Sequence, residues 1–189
     1  MLRLLDKLRI LLNNYARARI IIPLIIITTA TYTYMLMFSI PSVMEYSGGM
    51  KIFDMLATGY TYDYARLLLT NLGEEGRRVY LTYQIPLDMV YPIFFAVTYT
   101  LLLLFIFRSG FKSTSPIHRL IFIPVFAGFF DYLENIGIII MLRSYPDFSP
   151  AWVNITGIFS MAKAAFTTIF WLLLLIGLAA ITKRRLRRN

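Results

Sequence analysis

An all-α integral membrane protein, a four-helix bundle with both termini cytoplasmic, is the fold class this sequence predicts, and three observations predict it. The 189 residues are 58% hydrophobic and only 15% charged, so the apolar surface exceeds what one small soluble core could hide. Four apolar runs, about 20–40, 85–107, 120–142 and 152–181, each reach the roughly 20 residues that a helix needs to cross the hydrocarbon. The basic residues, finally, are sorted by segment rather than spread along the chain. One transmembrane domain covering 1–189 is the expected organisation, with no internal repeat and no low-complexity linker.

Residues 2–12 place Leu4, Leu5, Leu8, Leu11 and Leu12 on one helical face and Arg3 and Lys7 towards the other. This is the pattern of an N-terminal helix lying in the membrane interface. The charged residues before the first apolar run, and the lack of a small-x-small cleavage site after it, favour an uncleaved first span over a signal peptide.

The segment that follows the first span is about 40 residues long, too long for a plain turn, so structure is expected in it. Ser47-Gly48-Gly49 breaks the chain, and Tyr60 to Leu72 reads as an amphipathic outer helix with Gly73 as its C-terminal cap. Glu74-Glu75-Gly76-Arg77-Arg78 then opens a helical stretch expected to run through Gln84 into the second span. Short connections, Arg108 to Arg119 and Ser144 to Pro150, make spans two, three and four antiparallel neighbours. Tyr80, Tyr83, Tyr145 and Trp152 read as an aromatic belt at the outer interface.

Charge sets the expected orientation. Thirteen of the 19 basic residues fall in 1–19, 108–119 and 183–188, while 41–83 holds four basic and five acidic residues. The net charge of +9 therefore follows topology rather than nucleic-acid binding, and the positive-inside rule puts both termini in the cytoplasm. A bacterial or archaeal cell membrane is the expected location, with the endoplasmic reticulum as the alternative.

The side chains that point to a site are polar groups within the apolar runs. Asp131, Glu134 and Asn135 lie at i, i+3 and i+4 of the third span and share a face; Thr156, Ser160, Lys163 and Thr167 share one on the fourth; Asp88, Tyr91, Phe95 and Thr98 share one on the second. At about 1.5 Å per residue, Asp131 and Lys163 lie level with each other, roughly 16 Å from the outer boundary, with Glu134, Asn135 and Asp88 nearer to it. Ionisable groups at such depth face an interior, a cavity or a partner charge. A structural ion pair of Lys163 with Asp131 or Glu134 is one expectation. Three acids facing one base leave a carboxyl free to hydrogen-bond, to protonate or to meet a ligand. The candidate ligand-binding set is Asp88, Tyr91, Asp131, Glu134, Asn135, Ser160 and Lys163.

Other chemistries find little support. The chain has no cysteine and one histidine, His118, which excludes disulfides and leaves no ligand set within the chain for zinc or bis-histidine haem. No phosphate-binding glycine loop, nucleophile elbow or metalloprotease motif is present. His118 is expected at the cytoplasmic start of the third span, in an interfacial or capping role. No cofactor and no metal is expected.

Leu72-Gly73-Glu74-Glu75-Gly76-Arg77 with Tyr80, Asp88-Met89-Val90-Tyr91-Pro92 and Asp131-Tyr132-Leu133-Glu134-Asn135 together resemble a recurring pattern of small four-span membrane proteins. That resemblance implies no activity. The layout is also similar to the EXPERA superfamily of sterol isomerases and sigma-2-receptor-like proteins, which implies that Asp88, Asp131 and Glu134 contact a ligand. The sequence lacks the cavity histidine of the isomerases, since His118 is at the wrong depth, which counts against isomerase chemistry more than against lipid binding.

The leading functional expectation is an outward-facing intramembrane polar cavity that binds a lipid-like or amphiphilic small molecule, with membrane lipids as surroundings. The alternatives are a non-catalytic accessory or assembly subunit, acting in a homo-oligomer or with a membrane partner protein, and an intramembrane isomerase or proton-coupled transporter.

Overall fold

The computed structural model describes residues 2–187, with side chains from Lys7 onward. The described residues are helical with no strand. Four helical stretches, Ala18–Met44, Tyr62–Gly110, Pro116–Ser144 and Pro150–Leu186, are long and apolar enough to cross a membrane, consistent with a multi-pass membrane protein.

The first helix, α1 (Leu2–Asn13), ends in a tight turn in which the Tyr15 and Ala16 N–H groups donate to Leu12 O. Ala16 is fully buried and Leu12 packs beside it. The expected positions of Arg3, Leu4 and Leu5 lie outside the described side chains, whereas Leu8, Ile10 and Leu11 are exposed.

After α2 (Ala18–Tyr34) the chain widens into a π-helical turn over Met35–Ser39 and continues as α3 (Ile40–Met44). The same device joins α4 (Tyr62–Val79) to α5 (Ile85–Gly110) through a π-helical turn over Tyr80–Gln84. An Ile-Pro pair follows each turn, Ile40-Pro41 and Ile85-Pro86. Proline has no N–H to return to the carbonyl four residues earlier, so the ordinary hydrogen-bond ladder cannot pass through either position. The two turns meet: Ser39 Oγ donates to Gln84 Oε1 at 2.6 Å.

Between α3 and α4 the chain folds down as a lid on this end of the bundle, and Ile52 and Phe53 are fully buried. Thr61 caps α4 by accepting from the Tyr64 N–H at 3.2 Å. Leu68, Leu69 and Leu72 are buried while Leu67 is 54% exposed, as expected for an amphipathic element. Gly73 ends the first part of this stretch as expected, with φ 61 and ψ −172, and a second helical part begins directly after it, so that the two meet at a kink. That backbone region is essentially reserved for glycine. Arg77 spans the kink, donating to Leu69 O at 2.8 Å and stacking on the Tyr145 ring at 4.1 Å. Tyr80, expected in an aromatic belt, is fully buried beneath the lid. Its hydroxyl donates to Asp54 of the lid, so the ring is turned inward under that segment instead of outward to the interface.

A loop and the 3-10 turn Pro116–Phe122 lead into α6 (Ile123–Ser144), and Ser149 starts α7 (Pro150–Leu186) by accepting from the Trp152 N–H at 3.4 Å. Helices α5, α6 and α7 pack against one another, and α2 packs on α5. Small residues set the closest crossings. A Cβ at Gly137 would collide with the Thr156 side chain, and one at Gly128 would stand 2.9 Å from Pro92 O. Two apolar clusters result, one under the lid around Phe53, Leu68 and Ile138, the other towards the chain termini around Phe95, Phe107 and Phe170. A polar layer lies between them.

Candidate functional site

The polar layer is built on α6. A helix turns about 100° per residue, so positions i+3 and i+4 lie about 60° to one side and 40° to the other of position i. Asp131 therefore stands between its two neighbours: Glu134 is turned towards α7 and Asn135 towards α5. Ser160 Oγ on α7 donates to Glu134 Oε1 at 2.6 Å. Asn135 Nδ2 donates to the Asp88 carbonyl oxygen on α5 at 2.9 Å.

That second bond has a covalent cause. Pro92 lies four residues after Asp88 and has no N–H with which to close the helical ladder, so the Asp88 carbonyl would be left buried without its usual donor. Asn135 supplies the donor. One turn earlier on α6, Tyr132 donates its hydroxyl to Met89 O at 2.7 Å. The Asp88-to-Pro92 and Asp131-to-Asn135 motifs thus read as two halves of one interhelical joint.

Lys163 on α7 reaches two carboxylates. Its Nζ lies 3.3 Å from Asp131 Oδ1 and pairs with Glu134 Oε2. The expected pairing with one acid or the other is realised with both. Asp88 is buried at 5% exposure, and its Oδ2 has no hydrogen-bond partner among the described residues. Its carboxyl lies beside that of Asp54.

Asp54, from the lid, was not anticipated as a site residue. It accepts from the buried Tyr80 hydroxyl and, at 3.2 Å, from Gln84 Nε2, so it ties the lid to the π-helical turn that opens α5. Tyr60, also from the lid, has a buried hydroxyl without a hydrogen-bond partner among the described residues. Burial, followed by the nearby carboxylates of Glu134 and Asp54, pushes its ionisation far above the ordinary phenol range. It is therefore a neutral hydroxyl, able to donate.

Beside the layer lies a cavity of about 670 Å³. Its polar end is formed by Asp54, Asp88, Asp131 and Lys163, and its aromatic walls by Tyr32, Tyr91, Phe95, Tyr99 and Trp171. Of the sequence-predicted set, Asp88, Tyr91, Asp131 and Lys163 line it, whereas Glu134, Asn135 and Ser160 stand behind that wall. One side is formed by Thr28, Thr29, Tyr32, Met35, Leu36 and Ile40 of the first apolar stretch, the other by Ala164, Thr167, Thr168 and Trp171 of α7. Lid residues 54, 55 and 57 form its upper boundary.

The remaining candidates stand apart. His118 is buried at the opposite end and donates through Nε2 to Lys112 O at 3.0 Å, bracing the loop before α6. Thr98 is hydrogen-bonded to Thr28 at 2.8 Å, which fixes α2 to α5. Among the described residues no group of three histidine, aspartate or glutamate side chains comes together as a metal site. The polar arrangement can hold a hydrogen-bond-donating head against Asp88 and Asp131, with apolar space behind it. Set against known protein families, curated proteins and solved structures, the chain finds no significant match.

Proposed function

We propose that this is a multi-pass membrane protein, with both termini cytoplasmic, whose cavity binds a lipid-like or amphiphilic small molecule. The observation that carries the reading is one cavity with a carboxylate-rich end and aromatic walls. A polar head and an apolar body need that combination, because burying a donor or acceptor unpaired costs about 1–3 kcal/mol while apolar burial is favourable. The lid lies over the outer end, and α2 leans on α5, so access is lateral, between α2 and α7, from the hydrocarbon itself. The likeness to the EXPERA layout points in the same direction.

The test is to purify the protein in mild detergent and identify the amphiphile that co-purifies by mass spectrometry of an organic extract. Retention by the native chain and loss in Asp88→Asn and Asp131→Ala variants that keep their helicity is the expected result. Equal retention in all three would overturn the site.

A second reading, a non-catalytic accessory subunit, draws on the double pairing of Lys163 within its own chain. A combined Asp131→Asn, Glu134→Gln, Lys163→Met variant that folds as stably as the native chain, together with no amphiphile co-purifying with either, would favour it.

A further inference from the structure

The end of the molecule where α1, the loop after α5 and the last turns of α7 meet holds a second feature, separate from the cavity. The segments 1–19, 108–119 and 183–188 contain thirteen basic residues against one acidic residue, Asp6. Three of these arginines are fixed by backbone carbonyls. Arg9 donates to Ser113 O at 3.4 Å, Arg108 to Asn13 O at 3.5 Å and Arg184 to Ser109 O at 2.9 Å. A carbonyl orients a guanidinium without neutralising it, so each of the three remains a net cation held in place.

Where α5 ends and α7 continues past it, a small cavity of about 320 Å³ is lined by Ser109, Ile181, Arg184 and Arg185. The crossing is close: a Cβ at Gly110 would stand 3.1 Å from Ala180 Cβ and 3.3 Å from Gly177 O. Arg184 is held at its rim, while Arg185 is exposed and its side chain makes no hydrogen bond within the described residues. Above it along α7, Leu175 and Leu178 are 62% and 47% exposed. Two guanidiniums beside an apolar helix surface match a phosphate headgroup with its acyl chains running up the helix.

We infer that the Ser109, Arg184 and Arg185 cavity is a binding site for the phosphate headgroup of an anionic phospholipid. The inference rests on membrane insertion with this end at the headgroup level, and it does not depend on what occupies the larger cavity.

The test uses the full chain in a neutral detergent, with thermal unfolding followed on titration of phosphatidylglycerol, phosphatidylcholine or inorganic phosphate. Phosphatidylglycerol alone should raise the midpoint, and 0.5 M salt should weaken the effect. Loss of both arginines should weaken phosphatidylglycerol binding roughly 30-fold, at about fivefold for each basic group near a lipid surface. Arg184→Gln removes a bond of the fold, so Arg185→Gln, which removes none, is the companion variant and should weaken binding by about fivefold. An equal response to phosphatidylcholine, a response to inorganic phosphate alone, or an unchanged response in Arg185→Gln would each overturn the assignment.

Discussion

Lys163 Nζ lies 3.3 Å from Asp131 Oδ1 across the α6–α7 crossing, at the wall of the cavity, and the same ammonium pairs with Glu134 behind that wall. One cation thus joins the cavity surface to the hidden part of the polar layer. Lys163→Met would leave two buried carboxylates without their partner, and breaking a buried pair by removing one member costs about 3–5 kcal/mol. Thermal unfolding in detergent, followed by helicity, should show that loss. Much of it should return when Asp131→Asn and Glu134→Gln are added, since the uncompensated charge, rather than the missing attraction, causes the damage.

Asn135 and Pro92 should be coupled although they do not bond to each other. Asn135→Ala leaves the Asp88 carbonyl, already deprived of a donor by Pro92, unpaired at a buried position, a cost of about 1–3 kcal/mol. Pro92→Ala restores an N–H that can close the ladder, so it should reduce the cost of Asn135→Ala when the two are combined. A double-mutant cycle on unfolding free energy measures this; strict additivity would show that Asn135 does not serve that carbonyl.

These two joints also show what could be read from the sequence. Asp131, Glu134 and Lys163 were legible because regular helices convert spacing into a face and residue count into depth. The opposite turns of Glu134 and Asn135 follow from the same geometry, but which neighbouring helix each one meets depends on packing order. Asp54 was not legible, because it lies in an irregular segment whose position is set by where Ile52 and Phe53 bury. Tyr80 was misplaced because the partner that turns its ring inward, Asp54, lies in that same irregular segment.

The lid should loosen when Asp54 loses its hydroxyl partner. Tyr80→Phe keeps the ring in its core and removes only the donor, leaving a carboxylate oxygen short of a hydrogen bond at a cost of about 1–3 kcal/mol. The loss should concentrate in residues 50–61, as faster amide hydrogen exchange there than in α6 or α7. Uniform acceleration throughout the bundle would argue against a local anchoring role.

Gly73 should resist substitution although a Cβ there would touch nothing within 4 Å. Its φ of 61 with ψ of −172 costs a residue with a side chain about 1–3 kcal/mol. Gly73→Ala should therefore lower the unfolding midpoint while Ala substitution of the exposed neighbour Glu74 should not.

Trp171 lines the cavity, while the second tryptophan of the chain, Trp152, lies near the start of α7 and outside the lining. A Trp152→Phe background thus makes Trp171 the single indole reporter of occupancy. If an amphiphile enters between α2 and α7, its apolar body displaces whatever surrounds the indole there, and the Trp171 emission should shift saturably as it is added. Ala164 lines the same cavity, two turns before Trp171 on α7. Enlarging it with Ala164→Phe fills space in the cavity that the reporter lines while Asp88, Asp131 and Lys163 keep their own side chains, so it should abolish the saturable shift and leave helicity unchanged. Asp131→Ala should weaken the same titration by removing a partner for the head rather than room for the body. If Ala164→Phe leaves the titration curve unaltered, the amphiphile is binding elsewhere on the apolar surface, and the cavity is not its site.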